Sequence, residues 1–369
     1  MIKVFNPKLT LFDKYSVIKA LLNNEISGSS NKVIEFEQKL AKSFNRKYSV
    51  VCSNGSVALD VSFQLLDLKE GDEVILPSFT IISCLSAILR AGATPVFCDV
   101  DPETWNMKIE NVKDVYTSKT KAVLIVHTYG LTADVKEINK FCKEKKLKIV
   151  EDSAEAHGQS FGNIQCGSVG DISTLSFYAN KHVTTGEGGA ILTDNFAIYK
   201  KAKQMINLDF KSDKRFFHEN LYWNYRLGGL QSALGSSQLD NINKVILSKI
   251  KQGKRYTYLF NKYNIDVQLP VTSTIHSFNH FWVYGIIFKD NINRDNVAKK
   301  LKEAGIETRP FFYPLHLQPS AKIFKQKNKK LINSERLGKQ GLYLPLGKHV
   351  KPWHQKKIVL QVKKLIQGI

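Results

Sequence analysis

Apolar positions along the chain repeat with two different periods. In "KVIEFEQKLAKSFN" (32–45) they fall at Val33, Phe36, Leu40 and Phe44, the spacing of one helical face. "KYSVVCSNG" then reads as a short strand closing on a glycine turn, and "SVALDVSFQLL" as a helix that starts at that turn. The alternation goes on. Strands are expected in "DEVILPSF", "TPVFCDVD", "KAVLIVHTYG" and "LKIVEDSA", and helices in "ISCLSAILRAG", with Gly92 as its stop, and "DVKEINKFCKEKK". Short apolar runs separated by helices predict an α/β fold: a parallel or mostly parallel sheet covered by helices on both faces. A long helical stretch over 230–263 marks a change of pattern. Beyond it come a strand in "HFWVYGIIFK", a helix in "NRDNVAKKLKEAG" and a helix and turn in "SERLGKQGLYLP". The expected organisation is a large domain over 1–244, N-terminal arm included, and a smaller α+β domain over 245–369.

A length of 369 residues fits two such domains. The longest apolar run, "FTIISCLSAIL", stops at Arg90 and is too short to span a bilayer. Lys3, Lys8 and Asp13 interrupt what would be the apolar part of a leader, so a cytoplasmic protein without membrane insertion is expected. The cysteines Cys52, Cys84, Cys98, Cys142 and Cys166 contain no CxxC pair, which signals neither a disulfide framework nor a metal site. They are expected as buried free thiols. The formal charge of +21 has no nucleic-acid-binding motif beside it, and runs such as "KFCKEKKLK" and "IFKQKNKK" read as a solvated lysine-rich surface. No nucleic-acid partner is expected. A basic chain does favour an anionic small substrate such as a nucleotide diphosphate.

In an open parallel sheet, ligands sit outside the carboxyl ends of the strands. "SNGS", "LPSFT", "HTYG" and "VEDSAEAHG" all follow strand ends and should converge on one crevice. Gly55 and Ser56 open a helix, whose first backbone amides make an anion site; a plain helix cap is the bland alternative. Asp152 follows the apolar run "KIVE", where a carboxylate needs a partner. A protonated heterocyclic nitrogen would be such a partner. "SFYANKHVTTGEGGAIL" is neither a Walker loop nor GxGxxG, because its lysine precedes the glycines. It places Lys181 on a turn braced by small residues, where an amine can act as a nucleophile toward a carbonyl cofactor. Ser176 precedes it on the same segment. A carboxylate, a lysine, a hydroxyl and a helix-start anion site together suit pyridoxal 5'-phosphate. His157 and His127 read as hydrogen-bonded structural histidines, and His182 as a loop residue.

These segments, with "GATPVFCDVDPETWNM", "WNYRLGGLQSALGSSQLD" and "GIETRPFFYPLH", resemble the DegT/DnrJ/EryC1/StrS sugar-nucleotide aminotransferases, fold-type-I pyridoxal-phosphate enzymes, over nearly the whole chain. The resemblance implies that Lys181 bonds the cofactor aldehyde and shuttles the proton, that Asp152 pairs with the pyridine nitrogen, and that Gly55, Ser56 and Ser176 hold the phosphate. Glu155 stands where glutamine is usual, and Ile81 where an aromatic residue usually stacks on the ring. Asn224 would reach the phosphate of a partner subunit, implying a homodimer with shared active sites. Arg226, Arg309, Tyr313 and His316 match motifs near the substrate channel. By the same resemblance L-glutamate is the amino donor, and the pyridoxamine form carries the amine onto a nucleotide-diphosphate sugar. "NKHVTTGEGG" resembles the members that aminate carbon 4 of a 4-keto-6-deoxy sugar, the GDP-perosamine synthases above all. GDP-4-keto-6-deoxymannose is then the expected acceptor, for surface polysaccharide (O-antigen) synthesis. The alternatives are a UDP- or dTDP-linked 4-keto sugar, or a dehydratase, whose relatives carry histidine at the lysine position.

Overall fold

The computed structural model describes residues 1–211, 213–321, 323–324 and 330–368; most of "IFKQKNKK" lies outside the described residues. Two helices come first, α1 (Leu11–Leu22) and α2 (Asn31–Ser43). Strands and helices then alternate through β1 (Tyr48–Cys52), α3 (Gly55–Gln64), β2 (Glu73–Pro77), α4 (Ile82–Arg90), β3 (Thr94–Cys98), α5 (Ile109–Lys113), β4 (Thr120–Val126), α6 (Val135–Glu144) and β5 (Lys148–Asp152). A small hairpin of β6 (Ser160–Phe161) and β7 (Ile164–Gln165) precedes β8 (Ile172–Ser176), β9 (Gly189–Thr193) and α7 (Phe196–Met205).

Seven of these strands form one sheet in the order β1-β9-β8-β5-β4-β2-β3. β9 runs antiparallel to both its neighbours, and the remaining pairs are parallel. The strands are apolar on both faces, as a doubly covered sheet requires. Val74 and Leu76 of β2 and Ala122, Leu124 and Val126 of β4 pack with Leu59, Phe63, Leu85 and Ile88 of α3 and α4. The alternate residues Ile75, Val123 and Ile125 pack with Val112, Ile138, Phe141 and Cys142 of α5 and α6 on the other side. That split is the two-residue period of a pleated strand.

The second half runs through α8 (Gly229–Asp240), α9 (Ile242–Lys262), β10 (Tyr284–Ile287), α10 (Arg294–Glu303), β11 (Arg309–Pro310), α11 (Ile332–Gln340), β12 (Gly341–Leu344) and α12 (Pro352–Gln367). Three of these elements form an antiparallel sheet, β10-β12-β11. Its core joins Tyr284, Ile286, Leu342 and Leu344 to Tyr256 and Phe260 of α9 and to Ile358, Val359 and Val362 of α12. The N-terminal segment lies along this half: Ile2 bridges Ile306, and the Leu346 amide donates to the Val4 carbonyl.

The long helix expected over 230–263 is two helices. Asn241 breaks it, with its side-chain amide donating back to the Ser237 carbonyl at 3.4 Å, a competition that disfavours asparagine inside helices. The position 244/245 taken as the domain boundary falls within α9. The expected turn in "GLYLP" is strand β12, and strand pairing in "HFWVYGIIFK" is confined to Tyr284–Ile287 because Phe281 has a left-handed backbone (φ 51°). β9 and helices α1, α7 and α12 were outside the sequence reading. All five cysteines are free and buried, and no helix among the described residues is long and apolar enough to cross a membrane.

Candidate active site

The carboxyl ends of the parallel strands open into a cavity of about 580 Å³. It is lined by Asn54, Gly55 and Ser56 after β1, by Thr80, Ile81 and Ser83 after β2, by Asp152 at the end of β5 and by Ser176 at the end of β8. His127 after β4 lines it as well, so the four strand-end segments meet as their positions implied. Lys181 joins them from the loop between β8 and β9. That loop is pinned by hydrogen bonds from the Phe177 amide to the Gly188 carbonyl (2.7 Å) and from the Thr185 amide to the Phe177 carbonyl (3.0 Å). Gly186 (φ 84°) and Gly188 (φ 159°) give the turn its left-handed backbone.

At the start of α3 the Asn54 side chain caps the helix by accepting from the Val57 amide at 2.9 Å. The amides of Gly55 and Ser56 lie in the first turn, where a helix supplies no acceptor of its own. Gly55 sits so close to β8 that a Cβ there would come within 2.7 Å of the Ser176 Cβ. The Ser56 and Ser83 hydroxyls are 2.7 Å apart. The result is an anion cradle of two amides and neighbouring hydroxyls.

Deeper in, Asp152 is only 3% exposed. One carboxylate oxygen accepts from the Ala154 amide at 3.0 Å, whereas the other has only the Cys84 thiol at 3.6 Å. Burial raises its pKa, against the Ala154 amide and the charge of Lys181. A buried carboxylate with one oxygen so weakly served suits a protonated ring nitrogen. Glu155 accepts from the Tyr129 amide at 2.9 Å and lies 3.5 Å from the Lys181 amine. Burial pushes its carboxyl up to about 7. A cavity lined by an anion cradle, an amine and a buried acid fits pyridoxal phosphate.

Arg309 also lines this cavity, and its guanidinium lies over the Phe5 ring, 4.8 Å from the centroid. Four other candidate residues do not line this cavity, Asn224 among them, which was expected to serve a partner subunit's site. Asn224 and Arg226 bond to each other (2.9 Å), and Arg226 borders a separate small cavity with Gly28, Glu37 and Lys203. His316 pairs with the Ser78 hydroxyl at 2.6 Å and stands 3.4 Å from Glu335. Tyr313 is 54% exposed. The sequence reading passed over Trp282, Phe312 and Tyr343, which close the cavity from the second half of the chain. As apolar residues in strand-like runs they carry no local signal that separates lining from core.

The histidines separate cleanly. His127 bonds Glu151 at 2.9 Å and accepts from the Ala133 amide. Glu151 is further held by the Gly167 and Val169 amides and the Ser173 hydroxyl. The Cys166 sulfur lies within 4.8 Å of both groups, and the hydrogen bonds already made by His127 and Glu151 tie the ends of β4 and β5 to the neighbouring loops. His157 accepts weakly from the Val183 amide (3.4 Å). His182 is buried and faces a second, smaller cavity beside Lys249, not the larger one.

The sequence pattern of the DegT/DnrJ/EryC1/StrS aminotransferase family matches residues 12–363. GDP-perosamine synthase of Escherichia coli O157:H7 is 35% identical over 345 residues, 93% of this chain and 93% of that protein. GDP-perosamine synthase of Vibrio cholerae is 33% identical over 86% of this chain and 87% of its own length. Among solved structures, the aminotransferase TlmJ from Streptoalloteichus hindustanus superposes with a TM-score of 0.92 at 26% identity, covering 100% of this chain and 99% of that one.

Proposed function

The chain belongs to the DegT/DnrJ/EryC1/StrS aminotransferase family, and we propose that it transfers an amino group from L-glutamate to the 4-keto carbon of a nucleotide-linked 4-keto-6-deoxy sugar. GDP-4-keto-6-deoxymannose, giving GDP-perosamine, is the acceptor that the similarity to the two synthases favours. The observation that carries the reading is the convergence of Lys181, Asp152, Glu155 and the start of α3 on one cavity.

When bound, pyridoxal phosphate supplies a carbonyl that takes up the amine and a ring that delocalises the electron pair left by proton loss. The amides of Gly55 and Ser56, with the Ser176 hydroxyl, bind its phosphate. Asp152 would keep the ring nitrogen protonated, and the low dielectric around the carboxylate would strengthen that pairing. Lys181 moves the proton, with Glu155 beside its amine. Ile81, 41% exposed, lines the cavity and would give the ring an aliphatic neighbour. Arg309 at the same cavity offers a fork for a phosphate or carboxylate of the substrate.

The same reading makes the enzyme a homodimer. Asn224 and Arg226 lie apart from this chain's own cavity, which suits service to a partner's site. Helix α1 leaves Leu11, Tyr15, Ile18 and Leu22 exposed along one stripe, an apolar face of the kind that a second copy covers. A dehydratase reading is disfavoured, because Lys181 and not His182 borders the larger cavity.

The test is incubation of the purified protein with L-glutamate and a panel of GDP-, dTDP- and UDP-linked 4-keto sugars, with mass detection of the amino sugar. Amination of the GDP sugar, lost in Lys181→Ala, is expected. Failure to aminate any member would overturn the proposal.

A further inference from the structure

One residue from far along the chain braces the loop that carries Lys181. The indole N–H of Trp282 donates to the Asn180 carbonyl at 3.1 Å. The Lys181 amine lies over the same ring, 4.1 Å from its centroid. The amine of Lys249 in α9 donates to the Trp282 backbone carbonyl at 2.8 Å. All three residues are nearly buried: Trp282 is 5% exposed, Lys249 9%, and the Lys181 side chain 10%. The backbone at Phe281 is left-handed (φ 51°), and its ring presses on Gly253 of α9, where a Cβ would meet it at 2.4 Å. Tyr129, 5.8 Å from the Trp282 ring, completes the support.

We propose that Trp282 is a positioning residue for Lys181, its ring being the seat on which the free amine rests between proton transfers, and that Lys249 is the pin that fixes this seat. The inference rests on Lys181 being the reacting amine. An aromatic face attracts an ammonium group but neither accepts its proton nor titrates with it. Glu155, the other neighbour of the amine, does titrate. Burial holds its carboxyl up at about 7, so its charge is incomplete near neutral pH. The ring therefore supplies a hold that does not vary with pH. Burial, and then the charge of Lys181, bring the Lys249 amine down to about 7.

The test compares Trp282→Leu, Trp282→Phe and Lys249→Met in the full-length chain. Each protein, freed of cofactor, is treated with trace acetic anhydride at pH 8, and peptide masses give the acetylation of Lys181 relative to the exposed Lys121 and Lys136. W282L is expected to speed labelling of Lys181 about tenfold, since a desolvated cation–π contact is worth roughly that factor. W282F keeps a ring face and stays within about twofold of wild type, and K249M gives an intermediate gain of about threefold by loosening the seat. In the holoenzyme, W282L lowers kcat about tenfold with the KM for the nucleotide sugar within about twofold, and W282F restores most of the rate. Unchanged Lys181 labelling in W282L, or a phenylalanine variant no better than leucine, overturns the proposal. Should W282L fail to fold, wild-type labelling in K249M overturns it equally. Full activity in Lys181→Ala would instead refute the reading of Lys181, an outcome that the labelling comparison does not mimic.

Discussion

Replacing Glu155 by glutamine removes an acid that the folded chain holds in its protonated form over a wide pH range. Glu155 is 7% exposed. Burial is the largest influence on it, and it outweighs the opposing pull of Lys181 and of the Tyr129 amide, so the carboxyl moves from 4.5 to about 7. A folded-state pKa above the unfolded one means that the native chain binds more protons between those two values. Stability therefore falls as pH rises from about 4.5 to about 7, and the loss is complete above that. A gap of about 2.5 in pKa, at about 1.36 kcal/mol each, comes to about 3 kcal/mol. Glutamine keeps an oxygen for the Tyr129 amide and titrates nowhere in this range. Removing the ion pair with Lys181 shifts the variant's overall stability, but the pH-dependent part belongs to the carboxyl. Urea unfolding of the cofactor-free wild type and E155Q at pH 5 and pH 8 measures it, because every other titrating group is common to both proteins. The stability of E155Q relative to wild type should rise by about 2 to 3 kcal/mol from the lower pH to the higher. A difference that is equal at the two pH values, or that narrows as pH rises, would refute the account of Glu155 as a desolvated acid.

The rim and the cradle of the cavity give two further outcomes. Ile81→Phe adds an aromatic face beside the cofactor ring, worth about 0.5–1.5 kcal/mol, and should tighten pyridoxal phosphate binding about two- to tenfold in an absorbance titration. Gly55→Ala drives a Cβ to within 2.7 Å of the Ser176 Cβ. It should destabilise the chain by about 1–3 kcal/mol in urea unfolding and weaken phosphate competition against the cofactor.

The parallel part of the seven-stranded sheet was legible because its information is local, whereas the antiparallel β9 was not. Val74 and Leu76 point one way and Ile75 the other, as a two-residue period demands, and glycine or serine follows the strand ends. The same locality placed Gly55, Ser56, Asp152, Ser176 and Lys181 at the mouths of parallel strands, which a parallel sheet brings to one edge. Where local patterns compete, the sequence misled. The helical period runs on through Asn241, yet its side chain turns back on Ser237 and ends α8. "HFWVYGIIFK" is apolar enough for a long strand, yet Phe281 takes a left-handed backbone and leaves only four residues paired.

By itself, then, the sequence determined most of the layered α/β core and placed Lys181 and the buried Asp152 at one end of the sheet, since periodicity and turn chemistry act over a few residues. Only the tertiary structure decided what surrounds them. Trp282, Tyr343 and Phe312 look like core in any window, and they become cavity walls because the second sheet packs over the strand ends. Asn224 and Arg226 bond to each other, and Arg226 borders a separate cavity, a placement that no local pattern announces. The direction of a side chain depends on its own backbone angles and on partners a hundred residues away, and neither is written in the spacing of its neighbours.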